Sequence, residues 1–94
     1  MSQYEYDLKN IELSGEKWIL SKFAEECSEL SAAILQHLNK GTDLKKVEKE
    51  IADVKIEIRY YEEMCTNNNI LEYEGIKNKR INKRIRRMMK EENK

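Results

Sequence analysis

Apolar residues return every three or four positions along most of this chain, the period of helices that bury one stripe. Leu20, Phe23, Cys27, Leu30, Ile34 and Leu38 form the first stripe and predict a helix running to Asn39. Ser14 is its expected N-cap, with Glu16 in a first turn where the helix dipole favours negative charge. Lys40-Gly41-Thr42 ends it, since glycine suits the left-handed position after a helix, and Thr42 or Asp43 can cap the next one. Val47, Ile51, Val54, Ile58, Tyr61 and Cys65 then mark a second helix packed along an antiparallel neighbour. It is expected to stop near residues 66–69, where Asn69 and Glu72 read as a capping-box variant opening a third helix. That helix is expected to turn Ile70, Tyr73, Ile76 or Lys77, Ile81, Ile85 and Met88 inward. Residues 1–13 show no clean period and are expected to form a short helix or an N-terminal arm. Residues 88–94, without a cap, are expected to fray.

Composition supports helices. The 94 residues include no Pro and only three Gly, too few turn formers for a sandwich or barrel. A chain this short makes one domain, residues 1–94, with limited power to bury a core. The expected fold is therefore all-α: a helical hairpin plus a third, basic helix. Because each helix has a wide apolar stripe, the chain is expected to assemble as a dimeric or tetrameric bundle of four-helix type. No apolar run reaches the roughly 18 residues of a membrane span, and the polar opening MSQYEYDLKN is not that of a secretory leader. Two cysteines 38 positions apart suggest neither a metal knuckle nor a disulfide framework, so a cytoplasmic location is expected.

Charge changes the picture more. Eighteen acids balance eighteen bases over the whole chain, yet residues 1–74 hold sixteen acids and nine bases, and residues 75–94 hold two acids and nine bases. A net −7 beside a net +7 points to a charged ligand or partner.

The acids are not scattered. Glu25, Glu26 and Glu29 lie in the first helix, Glu50 and Asp53 in the second, with Glu57 one turn on. Glu26, Glu29, Glu50 and Asp53 border the apolar seam. If the chain reverses near residue 41, Glu29 faces Asp53, and the four acids span only about 9 Å along the bundle. Like charges so close raise one another's pKa unless a cation sits among them. Mg²⁺, or Mn²⁺, is the ready candidate, because hard ions take oxygen ligands and keep waters for phosphate substrates. The alternative is that these are surface acids paired with Lys22, Lys46 and Lys49. A ferritin-like site wants Glu-x-x-His, and the only histidine, His37, follows Ile34 at that spacing.

Glu25-Glu26-x-x-Glu29 followed by Glu50-x-x-Asp53 resembles the EExxE…ExxD signature of MazG-like nucleotide pyrophosphohydrolases, members of the all-α NTP pyrophosphatase superfamily. Trp18, EECSEL, EIADVKIEI and KNKRINKRI extend the likeness over about residues 16–87, nearest the short forms of phages and Firmicutes. The resemblance implies Mg²⁺-dependent hydrolysis of a nucleoside triphosphate between the α and β phosphates. It implies Glu26, Glu29, Glu50 and Asp53 as metal ligands, and Glu25 as a candidate base or a group supporting the ligands. Lys77, Arg80 and Arg84 match the K-x-x-R-x-x-x-R pattern and are implied to hold the β and γ phosphates, for which Arg offers bidentate contact and Lys a point charge. Trp18 is the best candidate to stack on a nucleobase, and a homodimer or homotetramer is expected. The competing expectation is a helical dimer whose basic C-terminal helix tracks nucleic-acid phosphates while the acids are structural.

Overall fold

The structure, a computed structural model, describes residues 1–92 and is all-helical over them. Four helices follow in chain order: α1 (Gln3–Ser14), α2 (Glu16–Lys40), α3 (Leu44–Met64) and α4 (Ile70–Glu92). The last two positions of the expected fraying tail lie outside the described residues, and positions 88–92 continue α4.

The opening segment is a helix rather than an arm. Ser2 and Glu5 form a reciprocal capping box: the Ser2 hydroxyl accepts from the Glu5 amide at 3.2 Å, and the Glu5 carboxylate accepts from the Ser2 amide at 3.2 Å. Ser14 does not cap α2. It ends α1, its hydroxyl donating to the Asn10 side chain at 2.8 Å. Gly15 makes the junction instead, at φ 85° and ψ 157°, a conformation open essentially to glycine alone, and lets two helices meet with one residue between them.

The turn from α2 to α3 follows the expected logic. Gly41 takes the left-handed conformation (φ 68°, ψ 28°) and its amide donates to the His37 carbonyl at 2.9 Å. Asp43 caps α3 by accepting from the Lys45 amide at 2.8 Å. The His37 ring nitrogen Nδ1 lies 2.6 Å from the Thr42 carbonyl oxygen and binds the turn to the helix before it. At the next junction the expected Asn69 cap is displaced by its neighbour. Asn68 accepts from the Ile70 amide at 3.1 Å and donates to the Cys65 carbonyl at 2.8 Å, fastening both sides of the turn.

α2 and α3 pack along their length as a hairpin, and α1 docks against both near the open end. The buried positions of α2 are Ile19, Glu26 and Ala33, seven residues apart, and α3 buries Val47 and Glu57. This corrects the expected core. Phe23 and Leu30 are half-buried, but Leu20, Cys27, Ile34 and Leu38 lie on an exposed flank, as do Ile51 and Ile58 of α3. The helices meet along a line rotated toward the acids, so the apolar stripe falls beside the contact. α4 departs further from expectation. It buries no residue, and none of its Cα atoms lies within 8 Å of α1, α2 or α3. Tyr73, Ile76, Ile81, Ile85 and Met88 are exposed rather than inward, and only Ile70 is half-covered. The molecule is accordingly elongated, 59 × 37 × 24 Å, with a radius of gyration of 17.9 Å where a compact chain of this length gives about 12 Å. No described helix is long and apolar enough to cross a membrane.

Candidate functional site

The seven-residue step that buries Ile19 and Ala33 carries Glu26 into the α2–α3 contact with them, leaving it 7% exposed. Glu29 follows one turn on at the rim, and α3 presents Glu50 one turn after Val47. The outcome is a three-carboxylate group. One oxygen each from Glu26, Glu29 and Glu50 lies within 4.8 Å of the others. Asp53, the fourth expected ligand, is exposed and outside that group, yet its charge reaches Glu26.

Electrostatics reflect the crowding. Burial first, then the charges of Glu29 and Asp53, push the Glu26 carboxyl above its usual range, with Lys22 opposing. Lys22 Nζ lies 3.4 Å from Glu26 and 3.6 Å from Glu25, and the two acids raise its pKa, Glu25 contributing most. Glu25 is thus turned to Lys22 on the exposed side of α2. Of the other two lysines offered as partners, Lys46 donates to the Gln36 side chain at 3.0 Å.

Glu57 joins the site unannounced by the spacing. It is 7% exposed, its carboxyl is raised mainly by burial and next by Glu26, and Lys22 pulls the other way. Its position three after Val54 and four before Tyr61 places it beside the contact line, a signal that sequence reading registers only as "one turn on" from Asp53. The second carboxylate oxygens of Glu26, Glu50 and Glu57 are buried without a hydrogen-bond partner. Such orphaned acceptors are costly unless a cation or proton reaches them. A donor set made wholly of carboxylate oxygens suits hard divalent cations as a class.

The remaining expected site residues stand apart. Trp18 is exposed and shares a helix face with Lys22, Glu25 and Glu29, at steps of four, three and four residues. Lys77, Arg80 and Arg84 are exposed on α4, beyond the first turn, where Ile70 and Glu74 border the hairpin. Within one chain, these three bases of α4 are therefore not brought to the acids of the hairpin. Near the far end of α4, Lys83, Arg86, Arg87 and Lys90 line a shallow, cationic concavity.

A second charged cluster ties α1 to α3. Arg59 grips Asp7 with both arms of its fork, Nε to Oδ2 at 2.6 Å and Nη2 to Oδ1 at 3.1 Å, and Gln3 donates to Asp7 at 2.9 Å. Asp7 is 1% exposed and its carboxyl is held below the usual value, chiefly by the Arg59 hydrogen bond. Glu63 lies against Asp7 and is pushed up, by burial first and then by that neighbour. Comparison of the chain with protein-family models, with curated proteins and with solved structures returned no match.

Proposed function

We propose that this protein is a divalent-cation-dependent nucleoside triphosphate pyrophosphohydrolase, converting NTP or dNTP and water to the monophosphate and pyrophosphate. The observation that carries the reading is the Glu26–Glu29–Glu50 group with buried, unpartnered oxygens on two of its three members. Glu26, Glu29 and Glu50, joined by Asp53, are the residues that would hold Mg²⁺ or Mn²⁺. Such an ion, when bound, neutralises phosphate charge and lowers the pKa of a nearby water. Glu25, on the same helix and open to solvent, is the carboxylate proposed to take the proton that water gives up. Trp18, on the face shared with Glu25 and Glu29, is proposed to stack on the base, and Lys77, Arg80 and Arg84 to hold the outer phosphates. Phosphoryl chemistry asks the protein mainly for positioning and charge, which these groups supply. The active form is proposed to be a homo-oligomer, since one chain leaves Lys77, Arg80 and Arg84 of α4 apart from the acids of the hairpin.

Pyrophosphate release from a panel of NTPs and dNTPs, with Mg²⁺ or Mn²⁺, tests this. Wild type is expected to turn over, and Glu29→Gln and Asp53→Asn to lose about 10²-fold or more. Wild-type rates in both variants would remove the assignment. A divalent ion should also raise the Tm of wild type and leave that of Glu29→Gln unchanged.

The free basic helix favours a second reading, a nucleic-acid-binding protein in which α4 tracks the phosphate backbone. Salt-sensitive DNA binding that survives Glu26→Gln and Glu50→Gln, with no pyrophosphate release, selects it.

A further inference from the structure

We infer that Glu57 and Glu26 together hold a second divalent cation, beside the one proposed for Glu26, Glu29 and Glu50, and that this second ion enters with the phosphates of the substrate. This rests on reading those three carboxylates as a cation site. Glu57 lies outside the EExxE…ExxD pattern, so the resemblance gives it no part.

On α3, Glu50, Asp53 and Glu57 follow at steps of three and four, a ladder of carboxylates along one face. Glu57 is two turns from Glu50, about 10 Å along the axis, whereas oxygens on opposite sides of one Mg²⁺ stand only about 4 Å apart. Glu57 accordingly stands outside the group that Glu26, Glu29 and Glu50 form within 4.8 Å. It meets Glu26 instead. Each is 7% exposed in the α2–α3 contact, and after burial itself the charge of Glu26 weighs most on Glu57. Asp53, one turn before Glu57, acts on both.

The unmet oxygens call for a cation. Glu26 and Glu57 each keep one buried carboxylate oxygen with no hydrogen-bond partner. Among the described residues, Lys22 is the one base paired with any of the five carboxylates, 3.4 Å from Oε1 of Glu26, which leaves Oε2 without a partner. Glu26, Glu29, Glu50, Asp53 and Glu57 against Lys22 leave four negative charges, twice what one divalent ion offsets. Mg²⁺ is commonly held by one or two carboxylates, with waters and substrate phosphates in its other positions. Glu57 and the free oxygen of Glu26 supply that pair. Having two protein ligands, one of them shared with the first ion, the second position fills only when phosphate oxygens complete it. Paired ions about 4 Å apart are the arrangement that clamps phosphate oxygens from two sides.

Mn²⁺ with inorganic tripolyphosphate, a probe that needs no base, tests this by paramagnetic resonance in frozen solution and by metal content after rapid gel filtration. Wild type is expected to hold one Mn²⁺ per chain without tripolyphosphate and two with it, the pair giving a spin-coupled spectrum. Glu57→Gln is expected to hold one under both conditions, uncoupled, with helix content unchanged by circular dichroism. The ion it retains shows that the variant is folded. A single Mn²⁺ in wild type with tripolyphosphate, or a coupled pair that survives Glu57→Gln, overturns the inference and leaves the first site standing. Loss of both ions in Glu57→Gln also overturns it, since Glu57 then belongs to the first ion. Wild type that binds no Mn²⁺ in either condition overturns the inference together with the reading beneath it.

Discussion

Glu57 shows what the hairpin costs one side chain. It is buried beside Glu26, an oxygen is left without a partner, and its carboxyl is raised first by burial and then by its neighbour's charge. An acid raised in the fold binds protons more tightly folded than unfolded. Its contribution is therefore favourable below its ordinary value of 4.5 and is lost as pH climbs through the raised folded value. Glu57→Gln keeps the shape and removes the titration. At pH 8 it is expected to raise Tm by several degrees, since about 1 kcal/mol moves Tm by roughly 4–8 °C in a domain this size. The gain should shrink as pH falls toward 4.5, and a thermal series across pH for both proteins checks it. The juxtaposition of Glu26, Glu29 and Glu50 is legible in the sequence because helix spacing and one turn place them. The burial of Glu57 is not, because the choice between flank and contact depends on how far each helix rotates about its axis.

The helices themselves divide along similar lines. α2 and α3 follow from their apolar period and from Gly41 and Asp43, whose roles are chemical and local. The Ser2–Glu5 capping box is also local, and the absence of a clean apolar period around it hides α1. What no local rule reveals is why α1 stays attached, because Asp7 and Arg59 stand 52 positions apart. Asp7→Ala is expected to cost about 2 kcal/mol, the scale of charge-assisted hydrogen bonds to a buried carboxylate. It should also loosen α1 from the hairpin, seen as faster amide exchange over residues 3–14. Asp7 is held below its ordinary value of 3.8, so its stabilisation is complete above that pH and is lost as pH falls through the lower folded value. Glu63, raised beside it, responds in the opposite sense. The α1–α3 tie is accordingly strongest in mild acid, between the two.

For the molecule as a whole, the reading of all-helical architecture with a basic final helix agrees with the structure, and the expected interior does not. Apolar period identifies a face that wants cover without saying which chain covers it, and here α4 and the flank of the hairpin are both left open. If that cover is a second copy, amide protection along α4 should rise with protein concentration, while protection in the middle of α2 and α3 stays level. Hydrogen exchange at two concentrations reads both, and level protection along α4 would count against the dimer.

The three-residue turn at Gly41 has a bearing on how the protein is made. Because α2 and α3 are joined so closely, the carboxylates gather through contacts between near neighbours in sequence, the kind that form fastest. Synthesis runs from the N-terminus, so the acidic hairpin can close while the basic helix is still being added. The nascent chain thus passes through a stage of unrelieved negative charge, when a cation in the surrounding solution is the nearest remedy.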